Sequence, residues 1–341
     1  MVPEFTAVIS SLDGAHRIGR ALDALAAQTL GSRIEVIVVD DGSADDTAEI
    51  AQARGVKVIR HERNQGVSAA RNTGMRAATA PVVAFLDDDC APPPHWAEAL
   101  LGGYEDGVTG VGGPVVPTRG RGYLGRFVER NNRHQPQELA LTVSAALPYR
   151  FYLYLRRQWT VPETPERQDV HALTGSNMSF RVAAMLEVGG FDPRFRFGAE
   201  EEDLTRRLRG LGNGRMVSVR DACMPYTYEP SARDLLRRSV RYGRGNALHY
   251  CKWPEVRPTL FPWPFLVGLL LSAGTLNIGL ALAGLLLPLV LYPGGVRGAK
   301  TLRSPEALLD PYVRLAQEAC ENFGFLQGAW RYRAYFAASG A

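Results

Sequence analysis

The chain has 341 residues, 46% hydrophobic and 22% charged, which suits one sizeable globular domain with an addition, or two domains, and excludes a disordered protein. A formal net charge of +4 is far from a polybasic profile, so no nucleic-acid partner is expected; the arginines crowd locally in SARDLLRRSVRYGRG, Ser231 to Gly245. The four cysteines, Cys90, Cys223, Cys251 and Cys320, contain no C-x-x-C pair, which argues against a zinc cluster or disulfide framework and fits a reducing compartment. The opening MVPEFTAVISS has no basic n-region or small-residue cleavage site, and no signal peptide is expected.

In chain order, the apolar runs FTAVISSL, IEVIVVDD, VKVIRH and PVVAFLDDD read as strands. Helix-period segments over 18–28, 44–54 and 68–78 lie between them. This alternation predicts an α/β fold, a mostly parallel sheet flanked by helices, with ligands bound beyond the carboxyl ends of the strands. Residues 119–169 show few clear periods; long helices and acceptor-facing loops both fit, and acceptor choice is expected to lie there. Patterning returns in ALTGSNMSFRVAAMLEVGGFDPRF and in the helix-like EEEDLTRRLRGLG.

From Phe265 to Leu291 no residue is charged. About 27 residues make roughly 40 Å of helix, against a hydrocarbon core of roughly 30 Å. One tilted membrane-spanning helix fits; a re-entrant hairpin broken near 274–279, where Gly and Asn cluster, is the alternative. The expectation is a C-terminal membrane-associated helical segment, with basic residues on both sides favouring ends in the cytoplasm. The predicted organisation is an α/β catalytic domain over 1–230, a basic amphipathic juxtamembrane segment over 231–262, a transmembrane or re-entrant segment over 263–293 and a helical tail over 294–341.

The chemistry-bearing residues sit at the predicted strand ends. In AFLDDDCAPPP, Asp87, Asp88 and Asp89 follow an apolar run and precede three prolines, so no helix starts at once to absorb the charge. Carboxylates about 5 Å apart repel by roughly 3 kcal/mol at an effective dielectric near 20, so a cation is expected. Hard oxygen donors suit Mg2+ or Mn2+, and D-x-D spacing puts Asp87 and Asp89 on one side of a strand. In VVDDGSADDT, Ser43 can cap the next helix with Asp45 and Asp46 in its first turn, while Asp40 and Asp41 precede the cap and face the crevice. No G-x-G-x-x-G follows the first strand, against a dinucleotide oxidoreductase. In NQGVSAARNTG, Arg71 lies on the first turns of a helix near the sheet end and offers a planar fork for phosphate or a base carbonyl. The acids Glu200 to Asp203 open a helix, where the dipole stabilises them, yet a carboxylate on that first turn can also serve as general base; Glu201 is the candidate.

Together, VISSLDG, VVDDGS, NQGVSAARNTG, FLDDD, GSNMSFR, GGFD and EEEDLTRRL resemble the running pattern of family 2 glycosyltransferases of GT-A fold, over roughly residues 5–230. The resemblance implies a nucleotide-diphosphate sugar donor, a divalent metal, Mg2+ or Mn2+, and inversion at the anomeric carbon. By position it implies Ser10 near the nucleoside, Asp41 at the base, Arg71 near the nucleotide, Asp88 near the ribose and Asp87 and Asp89 at the metal, with Asp89 the more direct ligand. Glu201 falls where the family pattern has a catalytic aspartate, one methylene shorter. After RDACMP many relatives carry a histidine; here Tyr226 or Tyr228 stands nearby, so water is the expected third ligand. Arg241 and Arg244 of VRYGRG are expected to help cover the phosphates, and the acceptor is expected to be a lipid-linked or glycan hydroxyl at the membrane. Two rival readings remain, a metal-dependent nucleotidyltransferase and a catalytically silent membrane scaffold of the same fold.

Overall fold

The computed structural model describes residues 2–118, 120–132, 146–159, 165–212, 214–228, 230–255, 260–301 and 304–337. The first part alternates β1 (Phe5–Ser11), α1 (Ala15–Ala26), β2 (Ile34–Asp40), α2 (Thr47–Gln52), β3 (Lys57–Arg60), α3 (Val67–Ala77) and β4 (Val82–Asp87). Next come α4 (Trp96–Gly102), β5 (Val108–Gly112), β6 (Val115–Pro117), α5 (Gly122–Arg130) and α6 (Leu147–Trp159). Then follow β7 (Arg167–Asp169), β8 (Met178–Arg181), α7 (Val182–Glu187), α8 (Glu200–Gly210), β9 (Arg215–Val219) and β10 (Met224–Tyr226). The C-terminal part holds α9 (Ala232–Lys252), α10 (Trp263–Ala273), α11 (Ile278–Leu291), α12 (Pro293–Thr301) and α13 (Asp310–Ala337).

The chain divides into two compact units. In the first, eight strands among the described residues form one sheet in the order β3-β2-β1-β4-β8-β5-β9-β7. The pairs β1–β2, β1–β4, β2–β3 and β5–β9 are parallel, whereas β8 runs antiparallel to β4 and β5, and β7 antiparallel to β9. Phe5, Ala7, Val8 and Ile9 of β1 and Val83 to Leu86 of β4 are fully buried, because helices cover both faces of the sheet. Gly74 lets α3 settle onto β1: a Cβ there would stand 2.3 Å from a Val8 methyl. The chain steps outward from β1 to β3 and then returns to the other side of β1 as β4, which makes the β1/β4 boundary a switch point in strand order. Parallel register places Ser10 beside Asp87 and Ser11 beside Asp40 at that end of the sheet.

The helices predicted over 18–28, 44–54 and 68–78 form, with shifted bounds. The helix predicted over 44–54 begins only at Thr47, because Asp45 folds back to accept the Thr47 amide and also takes the Ala15 amide at 3.0 Å. Ser43 caps nothing; its hydroxyl accepts the Asp13 amide at 3.0 Å. Residues 119–169, for which long helices and loops are both expected, supply α5, α6 and β7, while 119, 133–145 and 160–164 lie outside the described residues.

The second unit joins the C-terminal helices to α5 and α6. Helices α9 and α13 cross in close contact at glycines: a Cβ on Gly243 would meet the Glu321 carbonyl oxygen at 2.1 Å, and one on Gly324 the Val240 carbonyl oxygen at 2.1 Å. Arg130 grips Asp310 through two bonds of 2.7 Å, and Tyr154 and Tyr292 both donate to the buried carboxylate of Glu318.

The expected membrane-spanning helix is not formed. Gly274 to Asn277 turn the chain, and the Asn277 side chain caps the following helix through the Gly279 amide at 2.8 Å. The apolar run therefore folds as a hairpin of α10, 11 residues, and α11, 14 residues. At 1.5 Å per residue each is shorter than the roughly 30 Å a crossing needs. Among the described residues no helix is long and apolar enough to cross a membrane, and the expected membrane location with a cytoplasmic catalytic domain is withdrawn.

Candidate active site

The acid run ends β4 and turns at once. The Cys90 amide donates to the Asp87 carbonyl at 3.2 Å, so Asp88 and Asp89 sit in a turn, and the strand alternation expected to align Asp87 with Asp89 does not apply. The turn is pinned from across the unit. Cys90 bridges Tyr226 of β10, and the Ala91 amide donates to the Pro225 carbonyl at 3.2 Å. Tyr226, which stands near the expected histidine position, is thus a buried neighbour of the acid turn. Cys90 is fully buried, and that burial, with Asp87 and Asp89 adding, pushes its thiol well up.

Three acids have three different settings. Asp87 keeps a side chain that is 40% exposed and accepts from Arg71 Nη2 at 3.3 Å. Asp88 is buried, held on both oxygens by Arg17 at 2.9 and 3.1 Å, and takes the Ser11 hydroxyl at 2.5 Å. Asp89 has its carbonyl oxygen held by Arg20 at 2.9 Å. Ser10 is partly buried, in register with Asp87.

Arg71, expected near the nucleotide, is only 3% exposed and links three segments. Its guanidinium donates to Glu200 at 2.8 Å, to Asp87 at 3.3 Å and to the Gly175 carbonyl at 2.9 Å. It joins the end of β4 to the first turn of α8. Asn72, the next residue, bonds the Phe191 backbone at both its amide and carbonyl, 2.8 and 2.7 Å, and so fixes the GGFD turn that leads into α8. Gly190 in that turn has φ +72°, and a Cβ there would be 2.4 Å from the Asn72 side-chain oxygen. Ala199, immediately before α8, is held at φ +64°. Glu201 follows Glu200 on the helix and has a carboxyl oxygen shielded from solvent with no hydrogen-bond partner among the described residues. Burial pushes Glu201 well above the usual carboxylate range; Glu200 and Glu202 add to this, and Arg71 opposes it.

Asp41 is buried and accepts His61 Nδ1 at 2.7 Å and the amides of Gln65 and Gly66 at 2.9 and 2.8 Å. Asp40 accepts the Ser43 amide and pairs with Arg60 at 3.1 Å. Asp41 therefore orders the loop from residue 61 to 66 and Asp40 the turn at Ser43, beside a recess of about 250 Å³ lined by Gly42, Ser43, Arg60, His61 and Glu62. Arg241 and Arg244 lie on α9 in the second unit, where Arg244 donates to Gln327 at 2.7 Å.

Among the described residues no group of three or more His, Cys, Asp or Glu side chains is placed to hold a metal ion. A pair of carboxylates, Asp87 and Asp89, is nevertheless a fitting donor set for Mg2+ or Mn2+, which complete their shells with water and substrate phosphate. Sequence reasoning missed Ser11, Arg17, His61 and Glu200. Only Glu200 carried a signal, its place at the head of the EEED run.

The sequence profile described as Glycosyl transferase family 2 matches residues 6–184, more than half of the chain. The chain belongs to glycosyl transferase family 2. This family 2 chain is 28% identical over 278 residues to the pre-mycofactocin glycosyltransferase of Mycobacterium tuberculosis, covering 80% of the chain and 54% of that relative. It is 29% identical over 281 residues to the validoxylamine A glucosyltransferase of Streptomyces hygroscopicus subsp. jinggangensis, covering 76% of the chain and 63% of that relative. The chain thus spans little more than half the length of the curated relatives it matches. Its fold is similar to that of the mannosyltransferase PcManGT from Pyrobaculum calidifontis, solved with GDP-Man and Mn2+, at a TM-score of 0.57 and 18% identity over 97% of this chain and 88% of that one. The fold is GT-A-like.

Proposed function

We propose that this family 2 chain transfers a sugar, with inversion, from a nucleoside-diphosphate sugar to the hydroxyl of a glycan or lipid-linked acceptor. The observation that carries the reading is the buried Arg71, which bonds the acid end of β4 and the first turn of α8 at once and so sets Glu201 near the acids that would meet the donor. Asp87 and Asp89 would hold Mg2+ or Mn2+; a bound ion there supplies charge neutralisation of the leaving diphosphate.

The residues of the chain account for the rest. Glu201, its proton affinity raised by burial, accepts the proton of the acceptor hydroxyl as that oxygen bonds the anomeric carbon and the bond from carbon to phosphate oxygen breaks. The nucleoside diphosphate leaves from the opposite face of the sugar. Ser10 and Asp88, at the β1/β4 switch point, and Asp41, beside the recess at Gly42, are proposed to meet the nucleoside. Arg71 serves by ordering Asp87 and Glu200. Arg241 and Arg244, on α9 of the second unit, are proposed only as candidates for covering the phosphates.

A panel of nucleotide sugars with added Mn2+ or Mg2+ tests the reading. Release of a nucleoside diphosphate, abolished in Asp89→Ala and Glu201→Gln with the fold intact, is the expected result. Release of pyrophosphate would support a nucleotidyltransferase, and no product with any donor a silent scaffold.

A further inference from the structure

Resting on the reading of a sugar-nucleotide site, we propose that Arg17 is a positioning residue for the donor, acting through Asp88. Arg17 lies on the first turn of α1 and approaches Asp88 with two parallel donors, Nε to Oδ1 at 2.9 Å and Nη2 to Oδ2 at 3.1 Å. The Ser11 hydroxyl adds a third bond at 2.5 Å. A carboxylate accepts about four hydrogen bonds, so three protein donors leave Asp88 room for about one more, in a direction fixed by the other three. The pair is 34% exposed at Arg17 and 10% at Asp88, so the carboxylate is nearly enclosed while part of the arginine side chain stays accessible to solvent.

The surroundings are built for this grip. Gly14 opens α1, and a Cβ there would stand 2.2 Å from both Asp88 Oδ2 and Ser11 Oγ, so any larger residue would expel the carboxylate. Three residues after Arg17, Arg20 donates to the carbonyl of Asp89 at 2.9 Å. One face of α1 thus holds two successive residues of the acid turn. A bidentate guanidinium fixes the plane of a carboxylate in a way that an ammonium, a point charge, does not. Asp88 is therefore preset before the donor arrives, and the ordering entropy of that contact is not spent on binding.

The test is calorimetric binding of UDP and GDP with Mn2+ to wild type, Arg17→Ala, Arg17→Lys, Asp88→Ala and the Arg17→Ala/Asp88→Ala double variant, with thermal melts as a folding check. Arg17→Ala is expected to weaken nucleoside diphosphate affinity about tenfold, and Arg17→Lys to remain at least about threefold weaker than wild type. In turnover, the KM for the donor rises while kcat changes less than about twofold. In the Asp88→Ala background the Arg17 substitution should add nothing, since it acts through the missing carboxylate. Should Arg17→Ala fail to fold, Arg17→Lys carries the comparison. Wild-type affinity in Arg17→Ala or Arg17→Lys overturns the proposal, as does a full additional loss in the double variant, which would mean that Arg17 touches the donor directly. Absence of nucleoside diphosphate binding by the wild type would instead overturn the reading of the site itself.

Discussion

Glu200 and Glu201 are adjacent and chemically alike, yet their surroundings divide them. Glu200 is buried against the Arg71 guanidinium at 2.8 Å and is spent on holding it. Replacing it by Gln leaves a buried arginine without its main counter-charge, at a cost of about 3 kcal/mol read as a lower denaturation midpoint in a urea titration. Glu201 makes no such bond to Arg71 among the described residues, and its proton affinity rises with burial. A base must be ionised, so kcat/KM is expected to increase with pH along a limb lying above the ordinary glutamate range, and Glu201→Gln to remove turnover. The sign for stability is opposite: the neutral acid suits the fold, so this stabilisation is complete below the unfolded value of 4.5 and is lost as pH rises through the raised folded value. A pH–rate profile with no limb above that range would count against Glu201 as the base. The EEED run was visible in the sequence and so was the candidate within it. The division of labour inside the run was not, because it depends on an arginine 129 residues away.

At the scale of elements, local patterning placed β1 to β4 and the helices between them to within a few residues. Apolar period and strand-end acids are short-range features, and the packed sheet preserves them. The start of α8 shows what patterning does not carry. Ala199 adopts a left-handed backbone at φ +64°, next to Gly198 at φ +82°, to bring the acidic turn up against Arg71. A non-glycine residue there stores strain. Ala199→Gly is expected to raise stability by about 1 kcal/mol, read as an increase of a few degrees in Tm. A fall in Tm would show that the alanine methyl packs better than its backbone suffers. The apolar hairpin is the converse case: composition gave its 27 uncharged residues, while the turn at Gly274 to Asn277, capped by one asparagine, decided its length.

Over the whole molecule, the second unit is held by ion pairs as well as by helix packing. Glu306 receives Arg126 and Arg130 at 2.6 to 3.0 Å, and the Arg126 hydrogen bonds foremost lower it from 4.5 to about 2. A depressed carboxyl stabilises the fold fully above 4.5, and that contribution is lost as pH falls towards about 2. Glu306→Gln should therefore flatten the acid limb of a Tm-against-pH curve between these values and change little near neutrality beyond a uniform offset. An acid limb identical to wild type would remove Glu306 from that role.

The alternation of strands and helices, the crowding of acids at strand ends and the family pattern were determined by the sequence alone, because each is written in residues a few positions apart. Tertiary structure alone decided which acid pairs with which arginine, since Arg17 and Asp88 are 71 residues apart and Arg71 and Glu200 129. It also decided that the apolar run folds back on itself. Periodicity reports which face of an element is buried; long-range partners are chosen only when the packed sheet brings distant loops to one edge.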